Sequence, residues 1–203
     1  MVLNRLTYPF TREAVRRLKV GDRVSLSGLV FTGRDRLHQF LAEGGRSPVC
    51  LRQGALYHCG PVVVRERGAW RVAAAGPTTS IREEPYMAGI IKQYGLTVII
   101  GKGGMGAATL EACRRHGCVY LHAVGGAAQV LADAVRQVKG VHFYDQFGPT
   151  EALWELAVAD FPCLVTMDTH GGSLHDRVAG QSAAVLNALI GLRRITAVQN
   201  NPD

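Results

Sequence analysis

The chain has 203 residues, of which 47% are hydrophobic and 19% are charged, and its formal net charge is +7 at pH 7. Length and composition favour one folded domain with a sizeable core over intrinsic disorder. No apolar run approaches the roughly 18 residues of a membrane-spanning helix, and the N-terminus lacks a signal-peptide pattern, so neither a membrane protein nor a secreted one is expected. The charge indicates an arginine-rich surface, an anionic substrate or an acidic partner. Nucleic acid is not expected, because the basic residues are dispersed and aromatic side chains do not alternate with them.

Five cysteines are present, and none belongs to a C-x-x-C pair. An odd number without regular spacing argues against a disulfide framework and favours a reducing, cytoplasmic location. The same spacing argues against an iron–sulfur or zinc site formed by this chain alone, so no metal ligand is predicted. The cysteines are Cys50, Cys59, Cys113, Cys118 and Cys163.

The first 75 residues are predicted to be rich in strands. Residues 22–33 alternate and contain β-branched side chains, so they are predicted to form a strand or a hairpin. A helix predicted over residues 34–43 ends where two glycines follow it. The other predicted elements are an extended arm (3–9), a short helix (11–18), a strand (55–64) broken at Gly60 and Pro61, and a strand (70–75). We expect antiparallel pairing to dominate this part.

From residue 76 the pattern alternates between helix and strand, which implies parallel pairing with right-handed crossovers. The predicted helices are 81–94, 109–116, 127–138 and 181–194, and the predicted strands are 96–100, 118–124, 141–144 and 161–168, with a short element over 152–158. The whole chain, 1–203, is therefore expected to be a single α/β domain with layers of sheet, sheet and helix. Its parts are a strand-rich part (1–75), an α/β part (76–195) and a tail (196–203).

Two glycine-containing loops, 76–82 (GPTTSIR) and 101–106 (GKGGMG), adjoin two apolar runs. Each loop carries one cation, Arg82 or Lys102, among small residues that leave backbone N–H groups exposed. Charge, donors and free approach are what a small anion needs, so the two loops predict a carboxylate or phosphate pocket. The guanidinium of Arg82 could hold a carboxylate through two parallel hydrogen bonds.

The two loops also admit other interpretations, namely a nucleotide-binding turn, a tight turn and simple helix capping. Residues 101–106 contain the G-x-G-x-x-G spacing of dinucleotide-binding turns, but the acidic residue expected about 20 positions later is missing, and the next acid, Asp133, falls in a predicted helix. The Walker A pattern also fails, since no G-K-[ST] occurs. A merely tight turn remains an alternative for this loop, as does simple helix capping by Thr79 or Ser80 for the other.

Three further stretches could contribute polar groups. In residues 32–38 (TGRDRLH), Arg34 and His38 share one helix face, although a capped surface helix would look the same. Residues 168–172 (DTHGG) follow a strand in the part predicted to be parallel, where α/β proteins usually bind ligands, although they could simply form a turn. Residues 57–61 (YHCGP) indicate a strand kink beside a buried His58.

These motifs occur together in one order, and from the N-terminal arm to Leu174 the chain resembles the β subunit, or C-terminal domain, of class I iron–sulfur fumarate hydratases and of the related L-tartrate dehydratases. The pair GPTT…R and GKGGMG is the most specific part of this resemblance. The resemblance implies a swivelling three-layer β/β/α domain with mixed sheets. It also implies the reversible hydration of fumarate to L-malate and an α2β2 assembly. The [4Fe-4S] cluster, which acts as a Lewis acid on the substrate, would be held by three cysteines of the partner α subunit.

The resemblance also implies roles for individual residues. Thr78 would be the catalytic hydroxyl that handles the C3 proton, opposite an aspartate of the α subunit. The small dicarboxylate substrate would be bound by Arg34, Arg82, Lys102, Thr79 and Gly103, with Asp35, His38, Asp168 and His170 in support. Many relatives carry methionine after the arginine, whereas this chain has Glu83 and Glu84, which leaves the helix start open. An L-tartrate dehydratase β subunit and a stand-alone dicarboxylate-binding module remain alternatives.

Overall fold

A computed structural model describes residues 3–190 of the chain. The predicted tail (196–203) and the end of the last predicted helix at residue 194 lie outside these residues. The strands are β1 (Leu3–Thr7), β2 (Arg23–Gly33), β3 (Ala55–His58), β4 (Val62–Glu66), β5 (Ala69–Ala74), β6 (Val98–Gly101), β7 (Val119–His122), β8 (Val135–His142) and β9 (Leu153–Met167). The helices are α1 (Arg12–Arg16), α2 (Asp35–Ala42), α3 (Glu84–Tyr94), α4 (Ala107–His116), α5 (Ala128–Asp133), α6 (Tyr144–Phe147) and α7 (Leu174–Leu189), with a 3₁₀ turn (Ser80–Glu83) before α3. No described helix is both long and apolar enough to cross a membrane.

Five strands close into a ring in the order β2, β3, β6, β7, β9 and back to β2. The pairs among β2, β3, β6 and β7 are parallel, and β9 closes the ring by running antiparallel to both β7 and β2. β1 extends the sheet beside β2, and β8 extends it beside β9. The structure thus confirms a mixed α/β fold and shows that its main sheet is closed like a barrel.

The expectation of antiparallel pairing in the first 75 residues is wrong. β1 and β3 each pair in parallel with β2, because helices α1 and α2 carry the chain back to the same edge of the sheet before the next strand begins. Within this part only the hairpin of β4 and β5 is antiparallel, and it lies outside the ring.

The helix predicted over residues 127–138 ends at Asp133, and its last third belongs to β8. Val135, Val138 and Val141 are spaced as on a helix, yet all three pack against the same core cluster from a strand. Two irregularities in the pairing of β8 with β9 each insert one extra residue between these valines. The bulges convert the two-residue period of a strand into a three-residue spacing, which explains the wrong prediction.

The ring has a different apolar cluster on each of its faces. Tyr57, Ile100 and Trp154 belong to the cluster on one face, and Leu56 and Ile99 belong to the other, as expected for alternating strand side chains. The second cluster also contains the buried side chains of α2, α3 and α4, so these helices cover the outside of the ring. β3 and β6 are therefore buried on both faces, which is why their sequences, apart from His58 at the end of β3, carry no charged or strongly polar side chain.

The end of β6 packs so closely on the 3₁₀ turn that only glycine fits there. A Cβ atom placed on Gly101 would lie 1.9 Å from Ser80 Oγ and 2.9 Å from the hydroxyl of Tyr120. We expect Gly101→Ala to lower the free energy of unfolding by about 2–4 kcal/mol, because it overpacks the site and breaks the hydrogen bonds of Ser80.

Urea unfolding of the intact chain measures this effect. The matched control is Gly89→Ala in α3, where an added Cβ meets nothing within 4 Å and where alanine should raise stability by up to about 1 kcal/mol. Equal stability of Gly101→Ala and wild type would contradict the packing described.

Candidate active site

The candidate site lies at the edge of the ring where the parallel strands end. Arg34 follows β2, and Lys102 follows β6. Two backbone hydrogen bonds bring the loop 76–82 to this edge: Thr78 N–H donates to the His58 carbonyl (2.7 Å), and Ser80 N–H donates to the Lys102 carbonyl (3.0 Å). The two loops singled out in the sequence thus meet at the carboxyl edge of parallel strands, where α/β proteins place their ligands.

An ion-pair cluster holds the hydroxyl of Thr78. Arg82 Nη2 donates to Thr78 Oγ1 at 2.7 Å and lies 3.1 Å from Asp35 Oδ2. Arg34 Nη2 lies 3.9 Å from the same Asp35 oxygen, and Arg34 Nε lies 3.6 Å from Glu151 Oε1. Asp35 therefore sits between the two guanidinium groups. The side chain of Arg82 is 44% exposed, so part of its charge faces solvent and an incoming anion.

The hydroxyls of loop 76–82 are not used for helix capping. Thr79 is the residue before the 3₁₀ turn, but its side chain makes no capping hydrogen bond. The hydroxyl of Ser80 is buried and bonds to His58 Nδ1 and to Tyr120 OH, both at 2.9 Å. The capping alternative thus fails for both residues, which leaves Thr78 and Thr79 at the edge of the site.

The Lys102 loop needs its glycines for contact and for backbone conformation. Gly103 and Gly104 have φ of +80° and +79°, in the left-handed region that favours glycine. A Cβ on Gly104 would lie 2.3 Å from the ring of His175, whereas Gly103 has open space around it. Among residues 3–190, Lys102 forms no salt bridge, so its ammonium is available to a ligand. Beyond forming a turn, this loop therefore presents a cation without a salt-bridge partner among the described residues.

Glu84 anchors this loop to α3. Its carboxylate accepts hydrogen bonds from Gly106 N–H (2.8 Å), Thr109 N–H (3.1 Å) and the Thr109 hydroxyl (2.6 Å). An acidic side chain at a helix N-terminus is favourable both as a hydrogen-bond acceptor and toward the helix dipole. The second acid after Arg82 thus caps α4.

A fully buried polar cluster underlies the site, which we call the floor cluster: Glu83, His38, His58, Ser80 and Tyr120. His38 Nδ1–H donates to the Arg34 carbonyl at 2.8 Å, and the imidazoles of His38 and His58 meet edge to face with centroids 4.9 Å apart. Glu83 Oε2 lies 3.5 Å from His38 Nδ1. His38, one of the predicted supporting residues, is therefore hydrogen-bonded to the backbone of Arg34.

The acid and both imidazoles of the floor cluster are uncharged near pH 7. Burial lowers the pKa of His38 to about 4 and lowers the pKa of His58 well below its usual value. The pKa of Glu83 is raised to about 8, chiefly by burial and also by the nearby carboxylates of Asp35 and Glu151, while the guanidinium of Arg82 lowers it. The close approach of Glu83 and His38 is thus a contact of two neutral groups, because an ion pair this deep would lose more hydration than it regains.

The structure does not bring Asp168 and His170 to this edge. Asp168 accepts hydrogen bonds from the N–H groups of Val20, His170 and Gly172, and His170 Nε2 contacts the Arg16 carbonyl. The prediction that residues 168–172 follow a strand with parallel neighbours is wrong, because β9 is antiparallel to β7 and β2. Asp168 therefore anchors the turn after β9 at the amino edge of the parallel strands.

Two histidines beside the Lys102 loop were not predicted from the sequence. His122 is the last residue of β7, and His175 lies in the first turn of α7, with ring centroids 6.4 Å apart. Burial lowers the pKa of both imidazoles. The position of His122 after an apolar run was a usable signal, whereas nothing in the sequence marks His175, which reaches Gly104 only through the fold.

The chain matches the model of the family described as Fumarase C-terminus over residues 1–178. The chain belongs to this family. A Geobacillus stearothermophilus protein provisionally named a class I fumarate hydratase is 50% identical over 90% of this chain, which spans only 35% of that relative's length.

Two relatives of comparable length are named as β subunits. One, from Methanocaldococcus jannaschii, is provisionally named an L(+)-tartrate dehydratase β subunit and is 40% identical over 90% of this chain and 96% of its own length. The other, the L(+)-tartrate dehydratase β subunit of Escherichia coli K12, is 36% identical over 83% of this chain and 85% of its own.

The cysteines of this chain do not fit an iron–sulfur cluster. Cys59, Cys113, Cys118 and Cys163 are buried in the core, and Cys50 is exposed. Among the described residues, no group of three or more His, Cys, Asp or Glu side chains is arranged to hold a metal ion.

The raised pKa of Glu83 predicts a pH-dependent stability. The buried acid stays protonated up to about pH 8, whereas in the unfolded chain it ionises near pH 4.5. Unfolding therefore releases a proton between these values, and the stability of wild type falls as pH rises through this window. Glu83→Gln removes this proton release. The free energy of unfolding of the variant, relative to that of wild type, should therefore rise by a few kcal/mol between pH 4.5 and pH 8, at no more than about 1.4 kcal/mol for each pH unit.

Urea unfolding of both proteins across this pH range provides the measurement. Only the pH dependence of the difference is informative, since the amide itself shifts stability by a constant amount. A difference that stays constant from pH 4.5 to pH 8 would contradict a neutral buried Glu83.

Proposed function

We propose that this chain is the β subunit of a class I fumarate hydratase, which hydrates fumarate reversibly to L-malate together with an iron–sulfur α subunit. One observation carries the proposal: Arg34, Arg82 and Lys102 meet at one edge of the ring, and Arg82 donates to the hydroxyl of Thr78 at 2.7 Å. Three cations beside one polarised hydroxyl suit a substrate with two carboxylates and one transferable proton. Family membership and the names of the relatives support the same reaction class.

Thr78 is the residue that we assign to proton transfer at C3. A threonine hydroxyl is a weak base, and a guanidinium that donates to its oxygen stabilises the deprotonated form. Removal of a proton next to a carboxylate builds negative charge on that carboxylate in the transition state. Fixed cations at Arg34, Arg82 and Lys102 stabilise this charge without reorganisation. Thr79 and the open Gly103 then complete the contacts to substrate.

The other half of the site would come from an α subunit. The chain spans about a third of the G. stearothermophilus relative, and the relatives of its own length are named β subunits. The core positions of its cysteines support a [4Fe-4S] cluster held by the partner rather than by this chain. An α2β2 assembly in the cytoplasm belongs to the same proposal, and the uncrosslinked cysteines agree with a reducing compartment.

The proposal includes the swivelling three-layer β/β/α arrangement implied by the resemblance. The apolar cluster that contains Tyr57 and Ile100 would lie between two walls of sheet. Helices α2, α3 and α4 would form the third layer over the cluster that contains Leu56 and Ile99. The cations and Thr78 would then lie on one rim of the domain, where a partner can cover them.

An L-tartrate dehydratase β subunit is the second candidate, favoured by relatives that match nearly their whole length. Tartrate carries one hydroxyl more than malate, so its enzyme needs a further polar contact. His122 and His175, beside the Lys102 loop, are the groups in this chain that could supply one. A stand-alone dicarboxylate-binding module is the third candidate and predicts binding without any partner.

The reconstituted enzyme should depend on the Thr78 hydroxyl. Purified anaerobically with an iron-loaded α subunit, the chain should interconvert fumarate and L-malate, and the chain alone should not. Thr78→Ala should lower kcat by about 10²–10⁴-fold, the usual contribution of a positioned acid–base group, while the complex still forms. Thr78→Ser keeps the hydroxyl and should retain most of the rate.

Turnover is measured by the absorbance of fumarate, and complex formation by size-exclusion chromatography. A mixture that converts tartrate but not malate would select the second candidate. Near-normal turnover by Thr78→Ala would remove Thr78 from the chemistry.

Arg82 should not be replaceable by lysine. Arg82 Nη2 contacts both the Thr78 hydroxyl and Asp35, so Nε and Nη1 of the same planar group can still bind a substrate carboxylate. A lysine ammonium in that place has one nitrogen for all three partners. We expect Arg82→Lys to lower kcat/KM by roughly 10–100-fold, with losses in both kcat and KM. The matched control is Arg115→Lys on α4, where the guanidinium bonds to Glu111 on the surface and to no other side chain within residues 3–190. Steady-state kinetics that show equal effects for both variants would contradict the assigned role.

A further inference from the structure

Glu83 is a buried acid that the proposed chemistry does not use. Its side chain has no exposed surface, and neither carboxyl oxygen accepts a hydrogen bond from any described residue. The protonated form can donate to Asp35, a contact that raises the pKa of Glu83. The Nε2 atoms of His38 and His58 are likewise without partners within residues 3–190. An ionised carboxylate would be strongly disfavoured here, because it would lose its hydration and gain no donor in return.

The groups that face Glu83 do not neutralise an ionised carboxylate. From α2 it faces Asp35 and His38, and Glu151 faces it from the segment before β9. Arg82, its neighbour in the 3₁₀ turn, is the cation among them, and its guanidinium already bonds to Asp35 and Thr78. His58 lies behind His38. Glu83 is therefore surrounded by two carboxylates, two uncharged imidazoles and one guanidinium, and that guanidinium also bonds to Asp35 and Thr78.

The floor cluster is attached to every element that supplies a site residue. His38 binds the carbonyl of Arg34, and the carbonyl of His58 binds the N–H of Thr78. Ser80, in the middle of the cluster, binds the carbonyl of Lys102 through its own N–H. Glu83 follows Arg82 directly. A negative charge at Glu83 thus acts on the guanidinium of Arg82 and lies in the cluster that holds the backbones of Arg34, Thr78 and Lys102.

We propose that Glu83 is a positioning residue for substrate binding: as a neutral acid it leaves the charges of Arg34 and Arg82 available to the dicarboxylate, and its ionisation weakens dicarboxylate binding. This inference rests on the proposed function of the site. The raised pKa of Glu83, about 8, agrees with the geometry and places the transition just above neutral pH. By linkage, a bound dicarboxylate should in turn raise the pKa of Glu83, because it favours the protonated form.

The first measurement is direct and does not depend on turnover. The intact chain is labelled with ¹³C at the glutamate side-chain carboxyl and titrated by NMR, and Glu83→Gln identifies the Glu83 signal. We expect this signal to titrate near pH 8 and to move to higher pH when succinate, an unreactive dicarboxylate, is bound in the complex with the α subunit. Titration near pH 4.5, the usual value, would overturn the inference.

The second measurement separates Glu83 from other causes of pH dependence. Succinate inhibition of the reconstituted enzyme is compared between pH 7 and pH 9.5 for wild type, Glu83→Gln and Glu83→Met. Wild type should lose roughly three- to tenfold more affinity than either variant, the size expected for one nearby charge. The same pH-dependent difference should appear in KM for wild type and be absent from both Glu83 variants, which a general loss of structure would not produce.

A surface carboxylate provides the control. Glu66→Gln removes an exposed acid that pairs with Arg71 in the β4–β5 hairpin, and its profile should follow wild type. Equal pH dependence in wild type and both Glu83 variants would overturn this inference alone. If wild type and variants bind no dicarboxylate at any pH, with or without the α subunit, the proposed function fails and this inference with it.

Discussion

The hydroxyl of Ser80 occupies the space that a side chain on Gly101 would fill, and the rest of the site depends on this contact. Ser80 bonds to His58 at the end of β3 and to Tyr120 in β7, and its backbone binds the carbonyl of Lys102 after β6. Three neighbouring strands are thus joined to one residue of the 3₁₀ turn. Because Thr78 lies two residues before Ser80 and Arg82 two residues after it, this junction fixes the hydroxyl and both cations relative to the ring.

Much of this arrangement could be predicted from the sequence, where local chemistry and position agreed. The glycines and cations of loops 76–82 and 101–106 indicated an anion site, and the structure brings these loops together. The fold was harder, because tertiary pairing overrode local pattern. Asp160 has φ of +53° and Pro162 follows it, which suggests a break, yet both belong to the 15-residue strand β9. β2 pairs with β9 both before the bend, up to Val158, and after it, from Phe161 onward, and this pairing carries the strand through the bend.

The environment of the two acids after Arg82 could not be predicted. Glu83 and Glu84 are adjacent and chemically identical, and a sequence gives no reason to separate them. In the structure one is sealed beneath the site, where it accepts no hydrogen bond from a described residue, and the other caps α4. Their difference arises from the turn of about 100° between successive residues where the 3₁₀ turn becomes α3, which directs one inward and the other toward the next helix. Burial decides the charge of each, and only the fold decides burial.

The capping of α4 by Glu84 also bears on which anions the site can accept. A phosphate group is typically bound by several backbone N–H groups at the start of a helix, and here the N–H groups of Gly106 and Thr109 are already bonded to a carboxylate of the same chain. These two N–H groups are therefore not free for a phosphate, and the cations that the site presents are the side chains of Arg34, Arg82 and Lys102. A phosphorylated metabolite of the same size and charge would meet a repelling carboxylate where it needs donors. Capping of α4 by Glu84 within the same chain thus disfavours phosphate at the start of this helix, and an anion bound at the candidate site would depend on the side-chain cations instead.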